Sequence, residues 1–423
     1  MQRTHSFEHT PPISVPLRFF LTAPAFAVAA GILLAWQGPL PSRWSATTLE
    51  LTHLLTLGFA TMSMVGALLQ FIQVMGGVAI PQVTLTAGWL HGLIVAGTLA
   101  LLAGFATMEA TWFHMAIISL LGGFSLLLVV CWLGFRRSGS QNATFRAIRL
   151  ALIALGVTAG FGAMAGAVAA GDVILPFERL VNLHAAWGLL GWVCLLIVGV
   201  AYQVVPMFQM TPSYPAWATR IFAPAIFAAL CIWSIIGILL PNSWLTTLLA
   251  MVIGVGLTAF AGLTLDLLRQ RKRRRPDPTT LFWLLGLASM LGAVGMYVAG
   301  NMFPEISASP THVLQIGILI IVGFAFSVIN GMLYKIVPFL VWYHLQNRMG
   351  QTGRKPPNVK QIISDSTATG QCCAHLVALT LLLVASIFPQ QLTRFAAVVF
   401  IASSFWLWAN VASATGIYLK NSK

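Results

Sequence analysis

Twelve apolar stretches, each about 20 residues or longer, are what any fold of this sequence must accommodate. A run of that length spans the hydrocarbon core of a bilayer as a helix. Inside lipid every backbone polar group must be satisfied within its own segment, and continuous apolar runs rule out the alternating pattern of barrel strands. The spans are expected at about 17–36, 49–75, 84–106, 111–135, 146–170, 179–206, 217–239, 244–268, 279–302, 309–340, 371–388 and 393–418. Composition agrees. Of 423 residues 58% are hydrophobic and 8% charged, where a soluble domain carries about 25% charged residues. The expected fold class is an all-α polytopic membrane protein, without an appended soluble domain.

The net charge of +14 would suit a nucleic-acid partner if it formed one patch. Instead the basic residues fall in a few loops, which is how a membrane protein sets its orientation. With the N-terminus placed in the cytoplasm, 20 of the 23 Lys and Arg residues lie on the cytoplasmic side. Only Arg43, Arg179 and Arg394 lie outside, where Glu50, Glu109, Asp172, Glu178 and Glu305 are found. Twelve spans with both termini inside follow, and nucleic acid is excluded as a partner. The bilayer is the expected environment, and a bacterial-type inner membrane the expected location. The run from Arg269 to Arg275 reads first as an orientation signal. The segment 345–370 reads as a flexible cytoplasmic loop. AFAVAA in the first run does not read as the end of a cleaved leader, because a polar tail and Arg18 precede a full-length span. No Walker A sequence is present, so the chain does not use ATP by that device. Cys131, Cys194, Cys231, Cys372 and Cys373 show no CxxC or CxxCH spacing, so neither a disulfide framework nor covalently attached haem is expected.

Three stretches resemble one another: THLLTLGFATMSMVGALLQFIQVMGG from Thr52, LHAAWGLLGWVCLLIVGVAYQVVP from Leu183, and THVLQIGILIIVGFAFSVINGMLYKIVP from Thr311. Each opens on a histidine: His53, His184 and His312, spaced by 131 and 128 residues. They fall in spans two, six and ten, four spans apart, so all three cross the membrane in the same direction. Three repeats are expected within one integral membrane domain, at about 15–140, 145–270 and 278–420, each a four-helix arc.

An ionisable residue within a membrane span is costly and points to function, and neutral imidazole is a common ligand of haem iron and of copper. Glycines about one turn on (Gly58, Gly188 with Gly191, and Gly317) leave room for a flat ligand or for a neighbouring helix. The competing reading makes each His an interfacial hydrogen-bonder and each Gly a packing contact. His91 in span three is a candidate for a further metal ligand, against a packing role. His114 lies near the external end of span four. His344 and His375 are expected at cytoplasmic helix ends. Asn330 and Tyr202 each lie 18 residues, five α-helical turns, beyond the histidine of their repeat, and so are expected on its face. Lys335 is expected to snorkel to the cytoplasmic surface.

With its twelve spans, three arcs and histidines in spans two, six and ten, the chain resembles subunit I of the haem–copper oxidases and the related NnrS family. HLLTLGFATMSMVGALLQ is the most similar piece. The resemblance implies b-type haem with His53 and His312 as axial ligands, and His184 at the span whose histidine binds copper in the oxidases. Copper is thus the second metal to consider. The oxidase pattern is incomplete. No Pro-Glu sequence follows His184, span seven (217–239) has no histidine, and position 314 is Leu where the oxidases carry a second His. The implied function is therefore a haem-binding role in electron transfer, redox sensing or a response to nitric oxide, without oxygen reduction. It implies a redox partner or respiratory complex as partner. A cofactor-free permease for a small solute, or an accessory subunit of a respiratory complex, is the alternative.

Overall fold

The structure is a computed structural model that describes residues 10–138, 142–241, 243–273, 276–350 and 355–422. Most of the expected polar tail (with His5 and His9), Arg274 and Arg275 of the basic run, residues 351–354 of the long loop and Lys423 lie outside them. Among the described residues there is no strand. Twelve helices among those residues are long and apolar enough to cross a membrane. They are α1 (Ser14–Gln37), α2 (Ala46–Gly76), α3 (Val83–Thr107), α4 (Ala110–Ser138), α5 (Ala143–Ala169), α6 (Phe177–Gln209), α7 (Ala216–Leu239), α8 (Trp244–Arg269), α9 (Pro278–Met302), α10 (Pro310–Met349), α11 (Asp365–Ile387) and α12 (Pro389–Asn421).

Local sequence explains where they start and stop. Ser45, Asn142, Ser243 and Ser364 cap α2, α5, α8 and α11, each side chain accepting a backbone N–H of the first turn. Asn142 stands in an Asn-Ala-Thr sequon, and its side chain is spent on the Phe145 amide at 2.9 Å. Gly77 ends α2 in the left-handed region (φ 63°), which a glycine adopts without a steric penalty.

Two helices differ from expectation. α10 runs 40 residues, about 60 Å at ~1.5 Å per residue, twice the thickness of the hydrocarbon core. Its last turns lie beyond Pro338, which the helix carries internally. α11 begins at Asp365 rather than near 371, and with the turn Val359–Ile362 it takes up much of the expected flexible loop.

The chain forms two compact units. The first comprises Met1–His91, Pro276–Gly286 and Val313–Lys423. Here α1 lies along α12 and α2, with small residues letting the backbones approach. A Cβ on Gly31 would stand 2.6 Å from Ile401, and one on Gly66 2.7 Å from Phe19. The second comprises Gly92–Arg275 and Leu287–His312. In it α5 packs on α4 and α6, and α7 on α8. Buried polar tips are paired: Trp187 Nε1 donates to Ser234 Oγ at 2.9 Å, and the Tyr214 and Thr264 hydroxyls lie 2.9 Å apart.

Three helices are not α-helical throughout. α2, α6 and α10 each contain eight residues of π-helix: Leu54–Thr61, Trp187–Cys194 and Leu319–Phe326. The widened turn is visible at the end of the first, where the Met62 amide donates to the Leu57 carbonyl five residues back. π-helix makes up well under 1% of residues in ordinary proteins and is concentrated at functional sites. Three equal segments in spans two, six and ten are therefore a repeat in the backbone itself.

Candidate functional site

The π segments set the register of the repeat. Aligned on them, LLTLGFAT, WGLLGWVC and LIIVGFAF share a glycine followed by an aromatic residue: Gly58-Phe59, Gly191-Trp192 and Gly323-Phe324. Those glycines are 133 and 132 residues apart. The histidines do not keep this register. His53, His184 and His312 stand 5, 7 and 11 residues before the shared glycine. His184 and His312 thus differ by about one turn on the same helix face, whereas His53 is offset from His184 by two residues, roughly 200° around the axis. The repeating element is the Gly-aromatic pair, and the histidines are placed individually upon it.

His53 ends the first α-helical part of α2. Its Nδ1 lies 2.8 Å from the Leu49 carbonyl, one turn back. His184, in the second unit, has Nδ1 3.0 Å from the Thr158 carbonyl of α5, and its ring lies over Gly162, where a Cβ would meet Cε1 at 2.9 Å. A carbonyl only accepts, so in both residues Nδ1 carries a proton, and a neutral ring then presents Nε2 as its acceptor. A backbone carbonyl holding the Nδ1–H is the usual outer partner of a metal-ligating histidine. His312 is buried (7% exposed), and its Nδ1 has no hydrogen-bond partner. Its ring fills the space over Gly300, where a Cβ would stand 2.5 Å from Nε2. An orphaned buried ring nitrogen needs an explanation that protein packing does not supply.

The glycines divide. The space before Gly58 is filled by the Phe26 ring, which a Cβ would approach to 2.5 Å, so Gly58 serves helix packing. A Cβ on Gly188 would stand 3.3 Å from the Thr158 methyl. Gly317 has open space before it. Gly162 and Gly300, on the neighbouring helices, are the ones that make room for histidine rings. Sequence reasoning missed them because it searched only the histidines' own helices.

His91 is engaged otherwise. Its Nε2 lies 2.8 Å from Thr22 Oγ1, and the Phe19 ring meets it edge-on at 5.4 Å. The single Thr22 hydroxyl proton is donated to the Arg18 carbonyl at 2.8 Å, so Thr22 accepts from His91 and Nε2 carries a proton. His114 pairs with Asp172 at 2.7 Å, both half exposed. His375 is not at a helix end. It is wholly buried on α11, with Nε2 2.8 Å from Ser327 Oγ and its ring stacked on Phe326 at 5.2 Å. The longer α11 moves it inward. Lys335 reaches toward the basic loops, where it pairs with Asp277 at 2.8 Å. The 18-residue spacing does not keep Asn330 and Tyr202 on their histidines' face. A π segment lies between in each case, and its wider turns shift the phase of everything that follows.

Among the described residues no three His, Cys, Asp or Glu side chains converge as a metal-binding group. An axially ligated haem does not call for one, since the porphyrin supplies four of the six iron ligands and the protein two. The Nδ1–carbonyl contacts of His53 and His184, and the buried imidazole of His312, fit that donor set.

No family model and no curated protein matches the sequence. The structure is similar to a haem–copper terminal oxidase solved by cryo-EM as a dimer, with a TM-score of 0.65 over 97% of this chain and 84% of that one, at 11% identity. At that identity the likeness establishes the fold. The chain is a multi-pass, all-α membrane protein with twelve apolar helices and the haem–copper oxidase fold.

Proposed function

We propose that the protein binds b-type haem, with His53 and His312 each serving as an axial ligand and His184 as a further candidate ligand, and that it works in electron transfer, redox sensing or a response to nitric oxide in a bacterial-type inner membrane. The observation that carries the reading is the state of the imidazoles. His53 and His184 hold Nδ1 against backbone carbonyls, and His312 buries an unpaired Nδ1. The absence of CxxCH favours non-covalent haem. A bound haem would supply one-electron chemistry at its iron. The chain's own contribution is to fix ring orientation and tautomer, and to keep the ligands in an apolar, water-poor setting that tunes the potential. A redox partner or respiratory complex would exchange the electron. Copper at His184 is the weaker alternative, because no second and third ligand join it among the described residues.

Single substitutions test the assignment. His53→Ala and His312→Ala should each abolish the low-spin haem spectrum of the purified protein, and His91→Ala should leave it intact. Retention of that spectrum in either of the first two variants would remove that residue as a ligand. A protein without haem would favour the permease reading.

A further inference from the structure

The first unit contains a polar ladder that the cofactor reading does not use. On α10, Ser327, Asn330 and Tyr334 follow one another at helical spacing. On α11, Gln371 and His375 do the same, and on α12 Ser403, Ser404 and Asn410. The rungs are joined across helices. Ser327 Oγ lies 2.8 Å from His375 Nε2. Gln371 Nε2 donates to the Ser403 carbonyl and hydroxyl at 3.1 and 3.2 Å. Asn410 Nδ2 donates to the Tyr334 hydroxyl at 2.8 Å. One residue past Tyr334, Lys335 meets Asp277 at the end of the membrane that carries most of the basic loops.

The middle rung is incomplete. Ser327 and His375 are bonded, so one turn toward the basic side brings Asn330 and Gln371 to the same level, with Ser403 and Ser404 beside them. Asn330, Gln371 and Ser404 are completely buried, yet both amide atoms of Asn330, Gln371 Oε1 and Ser404 Oγ have no protein hydrogen-bond partner. Buried polar groups without partners are costly, and those in native proteins are usually satisfied by ordered water with two to four partners. Here donors and acceptors are both present, on three different helices.

We propose that Asn330, Gln371 and Ser404 hold internal water, and that this water, with the Tyr334–Asn410 rung below it, links His375 to the basic side so that its imidazole exchanges protons with that side. The titratable groups along the seam are Cys372 of α11, Tyr334 of α10, and the Lys335–Asp277 pair at its mouth. From the other side His375 meets the Val322 backbone of α10 and two aromatic rings, Phe326 of α10 and Phe282 of α9. Those rings close the ladder at His375 and make the imidazole its terminus. The proposal does not depend on haem.

The test is hydrogen exchange at the His375 ring, read by solid-state NMR of histidine-labelled protein in lipid bilayers, with His375→Gln supplying the assignment. In the wild-type protein the His375 ring should receive magnetisation from water and exchange its N–H in D2O within hours. Gln371→Met or Asn330→Leu should slow that exchange by about tenfold or more. A wild-type N–H that persists for days, or variants that exchange at the wild-type rate, would overturn it. If the variants do not fold, the wild-type exchange rate alone decides.

Discussion

Phe59 and Phe326 stack face to face, with ring centroids 3.9 Å apart and planes 19° from parallel. Each belongs to a π segment, Phe59 to that of α2 and Phe326 to that of α10, and Phe326 also stacks on His375. Both phenylalanines are fully buried (0% and 1% exposed). Removing either ring leaves a cavity that the helices cannot close. Phe59→Ala or Phe326→Ala should cost about 3–5 kcal/mol of stability, measured by unfolding in mixed micelles. The double variant should cost less than the sum, because the two share one contact.

Gly300 makes the space that the His312 ring occupies. Gly300→Ala would place a Cβ 2.5 Å from Nε2, and the imidazole would have to turn away. Haem content of the purified protein should fall severalfold while expression and helix content persist. Gly317→Ala is the contrasting case. Its Cβ would meet open space, and alanine is the better helix former by ~1 kcal/mol, so haem content and stability should be unchanged or slightly improved.

The Asp277–Lys335 pair gives stability a pH dependence. Burial pushes the Asp277 carboxyl up, but Lys335 and the Thr279 amide and hydroxyl more than offset this and hold it below the usual carboxylate range. An acid depressed on folding adds stability at all pH values above its unfolded pKa, and that contribution is lost as pH falls through the lower folded value. Melting temperature in detergent should therefore drop on acidification below the ordinary aspartate range. Asp277→Asn should lower it at neutral pH and flatten the acid limb.

Thr22 accepts the His91 Nε2–H, the arrangement of a packing histidine. Thr22→Val would leave a half-buried donor unpaired, at a cost of about 1 kcal/mol in stability. Any haem spectrum should be unchanged, which a ligand role for His91 would not allow.

The spans were legible in the sequence because a bilayer imposes length and apolarity together. Ten of the twelve helices start and stop within about four residues of expectation, since little but a loop can interrupt an apolar run. The exceptions follow the same logic. α10 outruns the apolar signal beyond Pro338, and α11 starts in the polar segment from Asp365, so neither end is marked by hydropathy. That error carried His375 from a supposed interface into the buried core.

Three histidine-led stretches stand out in the sequence, but the π segments that those helices carry do not keep the histidines' register. Histidines stand out in an apolar run, and the alignment was drawn through them. The Gly-aromatic pairs at 58, 191 and 323 were the better marker, visible but ordinary in composition. No sequence period announces a π segment, so the loss of phase between His312 and Asn330 had no sequence signal. The partners of the rings, Gly162, Gly300 and the Thr158 carbonyl, lie on other helices, and only tertiary packing brings them in.

The central claim is that this chain binds haem through imidazoles held as neutral acceptors. The most direct measurement is a reduced-minus-oxidised absorption spectrum of the protein purified in detergent, with iron determined on the same sample. The account predicts a low-spin b-type α band and Soret shift with at least one iron per chain. A flat difference spectrum with no iron, from protein expressed with ample haem, would contradict it.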